Sequence, residues 1–118
     1  MRITAEHGKP ISPVEVESEL VRLGNELETV TENMAAQGEA VGRWEVNYKR
    51  ARARARIRSD KKSGDDRDAE AILASIDEYE AWRVGDAVYS AMRDRSFTLR
   101  VQIEILRTIA ANTRHQTG

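Results

Sequence analysis

The sequence predicts an all-α fold: a long heptad-patterned helix, a second amphipathic helix and a short C-terminal helix, assembled as a helical oligomer. Two observations predict it. Apolar residues recur at steps of three and four over the first half of the chain, a spacing typical of helices that pack on helices. Charged residues make up 33% of the 118 residues and aromatic residues 5%. The chain therefore has apolar material for helical seams but little for a thick globular core.

The first helix follows a predicted tail, residues 1–11, where a glycine, a proline and the absence of periodicity indicate loose structure. Ser12 suits the N-cap, and Pro13 suits the first helical position. Glu15 completes a capping box with Ser12. These signals predict a helix that starts at Pro13.

The apolar seam of this helix keeps one heptad register. Its a positions are Leu20, Leu27 and Met34, and its d positions are Val16, Leu23 and Val30. The same register continues through Gln37, Val41, Trp44, Tyr48, Ala51 and Ala55. Gly38 and Gly42 weaken this stretch, each at a cost of about 1 kcal/mol relative to Ala. The sequence is compatible with one bent helix from Pro13 to about Arg58, about 70 Å long, or with two helices that meet near the glycines. The unbroken register favours one helix.

A polar turn follows from Ser59 to Asp66, with Ser63-Gly64 as its turn signal. Asp65 or Asp66 is predicted to cap the second helix, which is expected to end near Arg95. Its apolar positions are Ala69, Ile72, Leu73, Ile76, Tyr79, Val84, Ala87, Val88, Ala91 and Met92.

The last segment, residues 96–112, has features of both a strand and a helix. Leu99, Val101, Ile103 and Ile105 alternate as in a strand, but in a helix the apolar residues cover an arc of about 200°. We favour a helix because no other segment offers a partner strand. An arc that wide exceeds what one neighbour covers, so contacts with another subunit are predicted for Leu99, Ile103, Leu106 and Ile109. The predicted organisation is one helical domain, residues 12–112, and a C-terminal tail, residues 113–118.

No arrangement for catalysis, metal binding or cofactor binding stands out, so the chain is predicted not to be an enzyme and to need no cofactor. The absence of cysteine excludes disulfides and cysteine nucleophiles. His7 and His115 both lie in predicted tails. Asp77, Glu78 and Glu80 point in different directions on a helix and are interpreted as a solvated face. No apolar run is long enough to span a membrane, and no signal region opens the chain. A cytoplasmic protein is expected.

The strongest functional signal is a basic block from Arg43 to Lys62, with nine Lys or Arg against two acidic residues. The flanking stretches are acidic: residues 15–32 hold six Glu against one Arg, and residues 65–94 hold nine acids against three Arg. Guanidinium groups suit phosphate oxygens. The block therefore predicts sequence-independent, salt-dependent nucleic-acid binding. The alternative is that it pairs with acidic helices of the same chain or a neighbour, or with an acidic protein partner.

On a helix, the basic residues divide between two faces. Arg43, Arg50, Arg54 and Lys61 share one face, and Lys49, Arg52 and Arg56 share the other. Trp44 and Tyr48 beside the block could stack on bases. Both also fall on the heptad seam, and packing in that seam is the favoured interpretation.

The stretch Arg56-Ile57-Arg58-Ser59-Asp60-Lys61-Lys62-Ser63-Gly64 resembles the basic–x–basic–x–Asp–x–x–Ser–Gly motif of the phage recombination mediator family. Ser96-Phe97-Thr98-Leu99-Arg100 is similar to that family's short C-terminal helix, and the order of helices is similar over most of the chain. Members are small helical oligomers that help load a RecA-like recombinase onto single-stranded DNA coated by a single-strand binding protein. Lys61 and Lys62 depart from the aromatic residues that the family tends to place before Ser-Gly.

The resemblance implies DNA binding by Arg56 and Arg58, oligomerisation through the C-terminal helix, and location in the host cytoplasm if the protein is phage-encoded. Further basic residues would widen the DNA track: Arg43, Arg50, Arg54, Lys61 and Lys62. The implied partners are single-stranded DNA, other copies of the chain, a RecA-like recombinase and a single-strand binding protein. The alternatives are a coiled-coil scaffold or phage assembly protein whose basic block pairs with acidic protein surfaces, and a helical regulator of a host enzyme.

Overall fold

The structure is a computed structural model that describes the backbone of residues 12–117 and the side chains of residues 12–114; the predicted tail, residues 1–11, lies outside this range. It contains three α-helices: α1, Pro13–Arg58; α2, Gly64–Ala74; and α3, Ile76–Thr117. No strand forms within residues 12–117. The all-α prediction is confirmed, and the segment from 98 to 106 is helical. The predicted oligomer stays a prediction.

Helix α1 begins at the predicted capping box. The Ser12 backbone N–H donates to Glu15 Oε2 at 3.3 Å, and the Glu15 N–H donates to Ser12 Oγ at 3.2 Å. Gly38 and Gly42 lie inside the uninterrupted helix, so the one-helix interpretation is confirmed. None of the twelve predicted seam positions from Val16 to Ala55 is exposed.

The cap of α2 differs from the prediction. Ser63, not Asp65 or Asp66, occupies the N-cap, with an extended backbone (φ −85°, ψ 150°). Its side chain accepts a hydrogen bond from the Asp66 N–H at 3.0 Å. The two aspartates instead lie in the first turn of α2, where the positive end of the helix dipole stabilises their charge.

Ser75 separates α2 from α3, a break that the sequence pattern did not predict. Its buried hydroxyl donates to the Ala71 carbonyl at 2.7 Å, and its backbone leaves the helical region (φ −113°, ψ 19°). A serine that bonds back to residue i−4 distorts a helix. Backbone bonds from Ser75 to Ala71 and from Tyr79 to Ser75 still continue on both sides of this single residue.

The predicted helix end near Arg95 is wrong. Helix α3 continues without interruption from Ile76 to Thr117, so the predicted C-terminal helix is its second half, and the third helix is long rather than short. No Gly or Pro lies between Arg95 and Thr117 to stop the helix. The helix also extends through residues 113–117, which were predicted as a tail.

The seam of α3 explains this continuity. Its less exposed residues recur at alternating steps of four and three: Glu78, Trp82, Gly85, Tyr89, Met92, Ser96, Leu99, Ile103, Leu106, Ala110 and Thr113. Most of the apolar residues used to predict the second helix lie off this seam. Val84 and Val88, for example, are 63% and 41% exposed.

The chain divides into two compact units, and the described part of unit 1 comprises residues 12–33 and 92–117. Its core is formed by the fully buried side chains of Val16, Leu23, Leu99 and Leu106. Packed against these are Leu20, Leu27, Val30, Ile103, Ile109 and Ala110. At the edge, the Arg95 Nε donates to Glu26 Oε1 at 3.0 Å. Unit 1 is thus a pair of helical segments joined by a leucine-rich seam.

One carboxyl in unit 1 has a perturbed pKa. Arg22 donates hydrogen bonds to Glu19 and holds the pKa of the Glu19 carboxyl below its ordinary value. The interaction stabilises the fold above the ordinary carboxyl pKa and is lost as the pH falls through the lowered pKa of Glu19. Because Arg22 is largely exposed, solvent screens this pair.

Unit 2, Met34–Ala91, contains the second half of α1, all of α2 and the first part of α3. The Gln37 amide donates to the Gly85 carbonyl at 3.0 Å, and Tyr48 contacts Tyr79 and Trp82. Later residues of α1 therefore meet earlier residues of α3, so the two segments run antiparallel. The unit carries the whole predicted basic block.

Candidate nucleic-acid interface

Four arginines form one exposed row on α1, here called the basic stripe: Arg43, Arg50, Arg54 and Arg58. They follow each other at steps of seven, four and four residues, which keeps them on one side of a helix. All four are exposed, and no carboxylate of residues 12–114 lies within 4.0 Å of their guanidinium groups. The stripe extends about 22 Å along the helix. It is a positive surface without internal neutralisation.

Arg56 lies on a different face and has a structural contact. Its Nε donates to Asp68 Oδ1 of α2 at 2.7 Å. Close by, the Ser59 hydroxyl donates to Glu70 Oε2 at 2.8 Å. These contacts hold α2 against the end of α1. The two arginines assigned to DNA by resemblance, Arg56 and Arg58, are therefore separated: Arg56 is paired and Arg58 belongs to the open stripe.

Lys61 and Lys62 lie in the segment between α1 and α2, and both side chains are exposed. The Lys61 carbonyl accepts a hydrogen bond from Arg67 Nε at 2.7 Å, and its backbone N–H donates to Ser59 Oγ at 3.2 Å. The backbone of Lys61 is thus fixed while its ammonium group faces solvent. Both lysines extend the positive surface beyond the end of the stripe.

The residues of the other basic face of α1 make contacts within the chain. Arg52 donates to the Tyr48 hydroxyl at 3.0 Å and is partly buried. Lys49 lies 3.8 Å from Glu45 on the same helix. With Arg56, these residues have intramolecular partners.

The aromatic residues beside the basic block pack inside unit 2. Tyr48 is buried, with its ring 5.5 Å from Trp82 in a stacked arrangement and 5.2 Å from Tyr79 edge to face. The seam interpretation of Tyr48 is confirmed. Sequence reasoning missed Trp82; the signal that could have found it is its place in the seam of α3, seven residues before Tyr89.

Trp44 packs closely against a glycine of α3. A Cβ added to Gly85 would stand 2.3 Å from Trp44 Cζ3 and 2.4 Å from Cε3, so the indole occupies the space that a side chain would need. The seam interpretation is therefore confirmed for Trp44 too. The indole is nonetheless only half-buried.

Beside the stripe, Trp44 also lines an open groove on α1, here called the Trp44 groove. Its lining residues are Glu39, Gly42, Arg43, Trp44, Val46, Asn47 and Arg50. Two arginines of the stripe thus border a surface that also offers an indole, an amide and an isopropyl group. At this end the stripe combines positive charge with groups that can contact something other than phosphate.

The residues predicted to join subunits lie inside unit 1. Leu99 and Leu106 are fully buried, and Ile103 and Ile109 pack on them. Two residues of the predicted arc remain outside: Val101 and Ile105 are 41% and 42% exposed. Phe97, four residues before Val101 and not part of the predicted arc, is 69% exposed. The role of Leu99, Ile103, Leu106 and Ile109 in oligomerisation stays a prediction.

Metal ligation and membrane crossing were also considered for the described part of the chain. Within residues 12–114 no group of three or more His, Asp or Glu side chains is arranged to hold a metal ion. None of α1, α2 and α3 has a stretch with the length and apolar character needed to cross a membrane.

The chain matches no protein-family model, no curated protein and no solved structure. Its function must therefore be inferred from the geometry of the stripe and the groove and from the motif residues Arg56 to Gly64.

Proposed function

We propose that this chain is a non-catalytic protein that binds single-stranded nucleic acid without sequence preference, through the basic stripe of α1. The observation that carries the proposal is the exposure of Arg43, Arg50, Arg54 and Arg58 with no carboxylate of residues 12–114 within 4.0 Å. Unpaired guanidinium groups in a row suit successive phosphates of one strand. Binding would release counterions and weaken steeply with salt.

Within this proposal, we further propose that the protein acts as a recombination mediator in phage DNA recombination and repair. The support is the resemblance of residues 56–64 to the mediator motif. Arg58, Lys61 and Lys62 of that motif are exposed and would contact DNA. Arg56 would support DNA binding indirectly, because its contact with Asp68 holds α2 beside the position proposed for the DNA. Binding to the DNA backbone without sequence preference would lower the cost of exchanging one DNA-bound protein for another.

The mediator proposal also includes association of copies. Phe97, Val101 and Ile105 form an exposed apolar row on α3 that nothing among the described residues of unit 1 covers. A second helix packed there would bury it. An oligomer would repeat the basic stripe and strengthen binding to a long strand by multivalency.

The second candidate function is a coiled-coil scaffold whose basic residues pair with acidic protein surfaces. The specific observation that favours it is the ion pair between Arg56 and Asp68, with an Nε–Oδ1 distance of 2.7 Å. This chain thus already pairs one arginine of its block with an acid. The four stripe arginines have no such pair within residues 12–114, which favours nucleic acid for them.

The test is fluorescence anisotropy with a labelled single-stranded oligonucleotide across a salt series. Arg50→Gln/Arg54→Gln should weaken binding about tenfold or more at low salt. It should also reduce the salt slope by about 0.7 for each phosphate that the variant no longer neutralises. Two oligonucleotides of different sequence should be affected equally.

Arg56→Gln is the matched control, because it removes the same charge two residues away in sequence but on the paired face. It should change affinity less than Arg54→Gln alone does. A larger effect of Arg56→Gln, with α2 still folded by circular dichroism, would contradict the stripe as the binding surface. No binding by the wild-type protein at low salt would contradict the proposed function. The coiled-coil scaffold would then be the remaining candidate function.

A further inference from the structure

The Trp44 groove has a composition that the phosphate contacts of the stripe do not use. Arg43 and Arg50 border it, seven residues and about 10 Å apart along α1. Between them lie Val46, which is 45% exposed, and Asn47. The groove thus alternates positive, neutral and positive groups along the helix.

We infer that the Trp44 groove binds a base of the nucleic-acid strand while Arg43 and Arg50 bind phosphates on either side of it; this inference rests on the proposed function. The indole of Trp44 and the isopropyl group of Val46 both line the groove and offer apolar surface to the base. Contacts of bases with aromatic side chains tolerate any sequence, because every base has a π-face. The Asn47 amide both donates and accepts hydrogen bonds, so it can meet the edge of any base.

Glu39, the acidic residue of the groove, limits the phosphate-binding surface at the N-terminal end. Glu39 lies one turn before Arg43 and has no cation within 4.0 Å among residues 12–114. Its carboxylate repels phosphate at the N-terminal end of the groove. Phosphates are therefore expected from Arg43 towards Arg58, along the stripe, and the groove marks where the bound track begins.

Gly42 keeps the groove open. No atom lies within 4 Å of the position that a Cβ at Gly42 would take, and the residue is exposed. A side chain here would fill the groove without displacing any other group. The indole of Trp44 is held by its packing at Gly85 of α3. The apolar surface is thus fixed before a ligand arrives, which lowers the entropic cost of binding.

The experiment compares two probes on three proteins. The probes are a short labelled thymidine oligonucleotide and an abasic oligonucleotide with the same number of phosphates. The proteins are the wild type, Gly42→Leu, and Gly24→Leu as the matched control, because Gly24 also has nothing within 4 Å but lies in unit 1. Thermal unfolding by circular dichroism verifies that both variants are folded.

Wild type and Gly24→Leu should bind the thymidine probe on the order of tenfold more tightly than the abasic probe. Gly42→Leu should bind both probes with the affinity that wild type has for the abasic probe. Equal affinity of the wild type for both probes overturns the base site but leaves phosphate binding intact. A preference that persists in Gly42→Leu also overturns it, since the bases would then be contacted elsewhere. Failure of wild type to bind either probe overturns the proposed function itself.

Discussion

At the scale of single residues, three helical glycines look alike in the sequence, and only their neighbours distinguish them. Gly24 and Gly42 have nothing within 4 Å of the place where a Cβ would stand, whereas at Gly85 the ring of Trp44 occupies that space. A glycine inside a helix is costly unless packing requires it. Gly85 is therefore required by packing, and the other two are not.

This difference gives Gly85→Ala and Gly42→Ala opposite expected effects on stability. Gly85→Ala should lower the free energy of unfolding by about 1–3 kcal/mol, because the new methyl group overlaps the indole. Gly42→Ala and Gly24→Ala should each raise it by about 1 kcal/mol through helix propensity. Urea unfolding followed by circular dichroism measures all three. A stabilising Gly85→Ala would mean that Trp44 does not pack there.

Glu39 provides a second residue-scale prediction. Because its carboxylate borders the Trp44 groove, Glu39→Gln should tighten binding to a single-stranded oligonucleotide about two- to fivefold at low salt. The gain should disappear at high salt, where charges are screened. Glu28→Gln makes the same charge change at an exposed position of unit 1 and should have a smaller effect. Equal effects of the two substitutions would indicate a response to net charge alone.

The sequence predicts the part of the site that depends only on local helical geometry. Helical geometry alone divides the basic residues between two faces and places Arg50 and Arg54 together. It does not reveal that Asp68 folds back onto Arg56, because that contact depends on the path of the chain through the turn. It also does not identify Trp82, which lies in a seam of mixed polarity.

At the scale of helices, α1 was predictable because its signals agree with one another. Its capping box, its uniform heptad seam and its basic last turn all indicate the same element. Helix α3 was not, because its seam contains Gly85, Ser96 and Thr113, while large apolar residues such as Val84 lie outside it. Small residues in a seam allow two helices to approach closely, but they do not add to the hydrophobic periodicity from which a seam is predicted.

The start of α1 gives a prediction about this element. Ser12→Ala should lower the free energy of unfolding by about 1 kcal/mol, because the Glu15 N–H loses its acceptor. Ser18→Ala replaces an exposed serine inside the same helix and should instead stabilise it by roughly 0.5 kcal/mol. Thermal unfolding of the two variants checks this. A loss at Ser18 as large as that at Ser12 would argue against the cap.

At the scale of the whole molecule, a net charge of −1 conceals blocks of opposite sign. The Glu-rich start of α1 belongs to unit 1 and the arginine-rich end to unit 2. All four arginines of the basic stripe belong to unit 2, so a polyanion is expected to bind at the stripe. The apolar row on α3 belongs to unit 1, so nucleic-acid binding and association of copies can be tested separately.

Association is tested by Val101→Ser/Ile105→Ser. The double substitution should shift sedimentation towards monomer and barely change the stability of the monomer, because both side chains lie outside the core of unit 1. Leu106→Ala, next to Ile105 but fully buried, should cost about 2–5 kcal/mol of unfolding free energy. If wild type sediments as a monomer at all concentrations, the association proposal is wrong.

The close fit of Trp44 against Gly85 also bears on how two repetitive helices find one alignment. Heptad seams permit sliding by seven residues with little loss of apolar contact. Such a slide of α3 in unit 2 would bring Glu78 or Met92 opposite Trp44. Either side chain would overlap the indole, because even a Cβ in place of Gly85 would stand 2.3 Å from Trp44 Cζ3. The contact between Trp44 and Gly85 therefore disfavours pairings of α1 and α3 that are shifted by a heptad.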